Sequence, residues 1–158
     1  MTLAYLALGS NLGHRERNLA EARRLLPRFG ATVLRQSGIY ETEPFGVTDQ
    51  PRFLNQVVEV EWSQGPRELL EAVKAVESEV GRTPTYRWGP REIDVDILLF
   101  GRERVDEPDL VIPHPGLFER EFVLRPLAEL RPDLPRPGPS APRRARQSPP
   151  PPVSRVSL

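Results

Sequence analysis

The sequence predicts an α+β fold in which helices pack on one antiparallel sheet. Three observations carry the prediction. Apolar, strand-like runs recur at "TLAYLALG", "FLNQVVEVEW" and "IDVDILLFG". Two other segments repeat apolar residues at helical spacing. In chain order the elements read strand, helix, strand, strand, helix, strand, which is the ferredoxin-like βαββαβ pattern.

Each element has its own reason. "TLAYLALG" is an apolar run with no charge before His14, as a central strand requires. "RERNLAEARRLLPRFG" spaces Leu19, Ala22, Leu26 and Phe29 along one helix face, with Gly30 as its stop. Pro27 should fray or bend that helix. "ATVLRQSGIYET" reads as the second strand, and "EPFGVTDQP" as a loop. The β-branched content of "FLNQVVEVEW" makes it the third strand. "GPRELLEAVKAVESEVG" is the clearest helix: Pro66 suits its first turn, Gly81 ends it, and Leu69, Val73, Val76 and Val80 form its apolar stripe. Glu77 falls on the edge of that stripe. "RTPTYRWGPRE" is a loop and "IDVDILLFG" a strong strand. "DLVIPHP" is a short strand, and "EREFVLRPLAEL" is a strand or a short helical ending.

The chain has 158 residues, enough for one domain with a real core. Residues 1–132 form that domain. Residues 133–158 are a Pro/Arg-rich tail, expected to be mobile or polyproline-like, because such a composition buries too little apolar area to offset ordering entropy. It is either an unselected extension or a docking tail. From residue 132 onward the chain holds five of the 22 basic residues and one of the 22 acidic ones, so the body carries a net charge of −4. A negative body argues against nucleic acid as a partner. The absence of cysteine excludes disulfides and thiolate chemistry. No apolar run is long enough to span a membrane, and the N-terminus does not read as a signal peptide. The expectation is a cytoplasmic protein without membrane contact.

The "RWGPREIDVDILLF" segment carries the chemistry. Asp94 and Asp96 are two residues apart in a strand, so they share a face, ~7 Å apart. Ile93, Val95 and Ile97 turn the other way, into the core. Two close carboxylates repel unless a cation lies between them. Magnesium suits the pair, since it is held by one or two carboxylates plus substrate phosphates. A solvated pair of acids with arginines nearby is the plain alternative. The adjoining Arg87, Trp88 and Arg91 favour a metal–polyphosphate complex. Phe53 and Asn55 share a strand face and could stack on and hydrogen-bond a flat heterocycle, or be a core Phe and a strand-start amide. His114, between two prolines, is structural or a hydrogen-bond donor to a phosphate or hydroxyl; no His or Cys lies at ligand spacing from it. "ALGSNLG" (Ala7–Gly13) lacks the lysine of a phosphate loop and reads as a strand-to-helix turn.

With those residues in place, the chain resembles the 6-hydroxymethyl-7,8-dihydropterin pyrophosphokinase family of folate biosynthesis. "LGSNLG", "YETEPFGVTDQPRFLNQVV", "GRTPTYRWGPREIDVDILLFG" and "IPHPGLFEREFVLRPLAEL" carry the resemblance, which runs from Met1 to about Pro132. It implies transfer of the pyrophosphoryl group of ATP to the hydroxymethyl dihydropterin, giving the pterin diphosphate and AMP. It implies two magnesium ions held by Asp94 and Asp96, with ATP as co-substrate. It implies pterin contacts from Thr42, Glu43, Phe45, Phe53, Asn55 and Phe122. ATP would meet Glu77, Arg82, Trp88, Arg91, Ile97, His114 and Arg120, with Arg82 and Arg91 catalytic alongside the two aspartates. The loops around 43–52 and 81–91 would close over the substrates, and the enzyme would act as a monomer. Two departures stand out. Phe53 replaces a common tyrosine, keeping the ring without its hydroxyl. The 81–91 loop lacks the lysine some members carry.

Two other readings are weaker. RNA-recognition modules share the βαββαβ order but need a run of sheet aromatics that is absent here. A magnesium-dependent phosphotransferase acting on another heterocycle differs only in substrate.

Overall fold

The computed structural model describes residues 1–42, 50–81, 92–117, 120–134 and 153–156. Its elements are β1 (Thr2–Ser10), α1 (Arg15–Leu25), β2 (Thr32–Gln36), β3 (Ile39–Thr42), β4 (Phe53–Trp62), α2 (Pro66–Val80), β5 (Asp94–Phe100), β6 (Val105–Glu107), β7 (Leu110–Ile112), α3 (Glu121–Leu130) and β8 (Val153–Val156). The main sheet runs β5-β1-β4-β3-β8, with β2 also paired to β4, and β6 and β7 form a separate hairpin. All pairings within the main sheet are antiparallel. This is the expected ferredoxin-like arrangement, with β1 and β4 at its centre.

The sheet separates two cores. On one face Ala4, Leu6 and Leu8 of β1 and Val58 and Val60 of β4 meet α1 and α2, with Val95 and Ile97 of β5. The stripe of α2 contributes Leu69, Val73 and Val76, each buried, and such a side chain contributes about 1.5–3 kcal/mol. On the other face Tyr5, Val57, Leu98 and Leu99 meet Val123, Leu127 and Leu130 of α3. A bulge allows this division. Leu6 pairs with Ile97 and Tyr5 with Leu99, so Leu98 is an extra residue in β5. Strand alternation resets there. Leu98 and Leu99 therefore both serve the α3 core, while Phe100 returns to the α1/α2 core.

Three sequence expectations change in detail. The helix does not bend at Pro27. It ends at Leu25, and Leu26–Phe29 form a 3₁₀ turn with Pro27 in its opening positions, where no amide is needed. Gly30 then stops it in the left-handed conformation, φ 96°. "ATVLRQSGIYET" is two strands, because Ser37 breaks it. Its Oγ accepts the Val57 amide at 2.9 Å, and its carbonyl accepts Gln56 Nε2 at 2.7 Å. "EREFVLRPLAEL" resolves as the helix α3, which carries Pro126 inside it.

The tail also differs from expectation over the four residues described. Val153–Val156 pair antiparallel with β3, joining Ile39 to Val156 and Thr42 to Val153. The reason lies in the local sequence: "VSRV" contains no proline, and its valines suit a strand. The edge of β3 offers unpaired backbone groups, and Val156 packs against the larger core.

Candidate active site

α3 covers only part of its sheet face. The remainder is a half-exposed floor laid by the ends of β1, β4 and β5, where Phe53, Asn55, Asp94 and Asp96 all stand half-buried. Pairing fixes their positions. Gly9 of β1 is opposite Asn55 on one side and Asp94 on the other. Ala7 is opposite Val57 and Asp96. With strands about 4.8 Å apart, Asn55 and Asp94 flank Gly9 at a span of about 10 Å. Ile93, Val95 and Ile97 are buried on the opposite face, as the alternation required.

Gly9 matters and was not singled out from the sequence. β1 continues to Ser10, so "ALGSNLG" is strand for its first part and not only a turn. A Cβ on Gly9 would lie 3.2 Å from Asn55 Oδ1 and 3.7 Å from a Phe53 ring carbon. The glycine thus clears the floor between an aromatic and amide pair and the first carboxylate. Its signal was a glycine within an apolar strand, which marks close approach by a ligand or another chain segment.

The amide edge is preset. Asn55 Nδ2 donates to Thr42 Oγ1 at 2.8 Å. That bond orients the Asn55 side chain across β3 and β4, where Thr42 pairs with Phe53. Asn11, fully buried beyond Ser10, donates to Gln50 Oε1 at 2.8 Å and to the Pro51 carbonyl at 3.1 Å. Arg15 donates to the Arg52 carbonyl at 2.8 Å and to Glu41 at 3.1 Å. The chain entering β4 is therefore tied to the turn after β1.

Glu77 is buried rather than marginal. Its Oε2 accepts the Val95 amide at 2.9 Å, and Val95 lies between the two aspartates. Whatever else it meets, Glu77 anchors the backbone that presents them. The Ile97 side chain lies in the α1/α2 core, so only its backbone is left to meet a ligand. β5 is the terminal strand of the sheet, and His114 N already donates to Leu98 O there at 3.0 Å.

His114 sits at this edge, half-buried, and its Nδ1 has no hydrogen-bond partner among the described residues. Burial first, and then the Arg120 cation, hold its imidazole below the ordinary range, while Asp94 acts in the opposite sense. His114, Arg120 and Asp94 are therefore electrostatic neighbours. Arg120 lies over Gly116, with Nε 3.2 Å from where a Cβ would stand.

The structure thus gathers Asp94, Asp96, Asn55, Phe53 and Thr42 on or beside one floor, with His114 and Arg120 at its β5 end. Phe122 is in the first turn of α3. Glu43, Phe45, Arg82, Trp88 and Arg91 lie outside the described residues. The two carboxylates fit a hard divalent cation: same face, half-exposed, with small Ala7 and Gly9 beside them. Among the described residues no group of three or more His, Cys, Asp or Glu side chains forms a metal cage. A cation here would draw its other ligands from phosphate and water.

The comparisons with known proteins follow the same line. Residues 5–132 match the family described as 7,8-dihydro-6-hydroxymethylpterin-pyrophosphokinase (HPPK). The chain is 53% identical over 129 residues to the 2-amino-4-hydroxy-6-hydroxymethyldihydropteridine pyrophosphokinase of Bacillus subtilis, covering 81% of this chain and 77% of that one. It is 50% identical over 125 residues to a mitochondrial folate synthesis bifunctional protein of Arabidopsis thaliana, covering 79% of this chain but 23% of that one. The crystal structure of Plasmodium falciparum HPPK-DHPS with SDX-DHP superposes with a TM-score of 0.62 at 16% identity, over 86% of this chain and 41% of that one. That last likeness is one of fold alone. The chain belongs to the 7,8-dihydro-6-hydroxymethylpterin-pyrophosphokinase family.

Proposed function

We infer that the chain transfers the pyrophosphoryl group of ATP to the hydroxymethyl group of 6-hydroxymethyl-7,8-dihydropterin. The observation that supports this reading is the row Asn55–Gly9–Asp94, in which an amide and a carboxylate flank a glycine on one half-exposed floor. The substrate alcohol attacks the β-phosphorus, the bond from that phosphorus to the α,β-bridging oxygen breaks, and AMP leaves. Such transfers depend on positioning and charge neutralisation more than on covalent help.

The residues divide the work. Asn55 and Thr42 read the pterin edge, and Phe53 stacks on its ring, with Glu43, Phe45 and Phe122 completing the pocket. Asp94 and Asp96 would hold two magnesium ions, whose charge would offset that of the triphosphate. Glu77 keeps β5 in place. His114, whose imidazole burial holds below its ordinary range, offers a hydrogen bond to phosphate or ribose. Arg82, Trp88, Arg91, Arg120 and the backbone of Ile97 complete the ATP site, and Arg82 and Arg91 act on charge moving toward the departing AMP. We place the enzyme in the cytoplasm, acting as a monomer. Among the described residues no helix is long and apolar enough to cross a membrane.

Phosphorus NMR of the products tests the reaction. AMP and pterin diphosphate should appear together, only with magnesium and the hydroxymethyl pterin present. ADP with a pterin monophosphate would overturn the pyrophosphoryl assignment.

A further inference from the structure

The last described segment of the chain ends beside the pterin edge. β8 pairs with all of β3: Ile39 with Val156, Tyr40 with Arg155, Glu41 with Ser154, and Thr42 with Val153. β3 in turn pairs with the part of β4 that builds the floor: Tyr40 with Asn55, and Thr42 with Phe53. β3 has only four residues. Such a short strand, paired on one side alone, is weakly held. β8 gives it a second partner, and Val156 fastens that partner to the larger core. Other holds on this strand come from Glu129 of α3, which accepts from the Gly38 amide at 3.0 Å and from the Tyr40 hydroxyl, and from Arg15 and Arg52, which pair with the Glu41 side chain. The Glu129 contacts act at its start, and the Glu41 pairs act through a side chain and not on the outer backbone edge. Thr42, at its end, is where β8 begins.

We propose that Val153–Val156 is a positioning strand for pterin: by closing the outer edge of β3 it holds Thr42 in place to orient the Asn55 amide. The inference rests on the assignment of Asn55 and Thr42 to pterin. If β3 is held before pterin arrives, the side chains that read it need not be ordered at binding. Losing β8 moves that ordering cost into the binding step. The cost for one such side chain corresponds to about threefold to tenfold in affinity. It falls on pterin and not on ATP, because β5, His114 and Arg120 are at the opposite edge of the sheet. A C-terminal segment with an unpromising composition thus becomes part of the substrate site.

The test uses the full chain. In a strand adjacent amides alternate sides, so Ser154→Pro/Arg155→Pro removes one amide facing β3 whatever the phase of the ladder. Val156→Ala is the milder variant and decides on the same criteria if the double proline does not fold. The pterin KM at saturating ATP should rise about threefold to tenfold, with kcat and the ATP KM changing less than twofold. Amide hydrogen exchange in residues 38–42 should quicken while that of β1 stays slow. Asn55→Ala serves as the reference for the pterin site. If it raises the pterin KM and the β8 variants do not, the positioning role is overturned and the site assignment stands. If neither raises it, both fall. If pterin and ATP constants rise together with a fall in Tm, β8 is a general stabiliser and the proposal fails.

Discussion

At the scale of single residues the site rests on small groups as much as on charged ones. Gly9 leaves open the space that Asn55 and Asp94 flank. Gly9→Ala puts a methyl group 3.2 Å from Asn55 Oδ1, closer than such contacts normally run. It should raise the pterin KM severalfold with little loss of stability, since the strand itself is retained. Asn55→Ala removes the hydrogen-bonding edge and leaves buried polar groups of the pterin unpaired. Calorimetry should show pterin binding weaker by about 1–3 kcal/mol with ATP binding kept. Unchanged pterin affinity in both variants counts against the floor as the pterin site. Much of this was legible beforehand. The D-x-D alternation alone placed Asp94 and Asp96 opposite the core. Gly9 was not, because a glycine's role lies in what stands across from it, and strand pairing is not written in one strand.

At the scale of elements, α3 is held to the sheet by a polar network as well as by its apolar face. Arg35 donates to Glu59 from two nitrogens, at 3.0 and 2.7 Å, and to the Leu130 carbonyl at 3.0 Å. The Tyr5 hydroxyl donates to the same carboxylate, and Arg131 lies over the Tyr5 ring at 5.3 Å. Arg35, chiefly, holds the Glu59 carboxyl below its ordinary value of 4.5, while burial and then Glu59 push the Tyr5 phenol up. A carboxyl whose pKa is lowered by folding contributes stability above its unfolded value and loses it as pH falls through the folded one. Glu59→Gln should therefore cost about 1–3 kcal/mol near neutrality. The difference from the parent protein should shrink steadily below about pH 4.5. Urea unfolding across pH measures it, and a gap that stays constant down to pH 3 would refute the charge-based account. The sequence showed that these strands and helices exist because their periods are long and clean. It did not show α3 as a helix outright, since Pro126 disguised it, nor the break at Ser37, which depends on Gln56 and Val57 across the sheet.

At the scale of the whole molecule, a body with a net charge of −4 must bind a highly charged nucleotide. Local cations would answer this: magnesium held by Asp94 and Asp96, together with the proposed Arg82, Arg91 and Arg120. Arg82 and Arg91 are assigned to the transition state, so Arg82→Ala and Arg91→Ala should each slow the chemical step by at least ~10²-fold while ATP affinity changes much less. Single-turnover kinetics with separately measured binding constants check this. Loss of affinity at an unchanged rate would make them binding clamps. The tail shows where composition misleads. Its prolines dominate any reading of residues 133–158, yet "VSRV" pairs with β3 because a partner strand with an open edge is available. Composition describes what a segment can bury alone, not what another element offers it.

One floor of the sheet is proposed to bind pterin through Asn55 and metal-bound phosphates through Asp94 and Asp96. The most direct measurement is pterin-dependent AMP release by Asp94→Asn and Asp96→Asn, alongside their thermal stability. Turnover should fall to near background in each variant, with Tm close to that of the parent protein. Full turnover in either variant, or full turnover of the parent protein in excess chelator, would contradict the account.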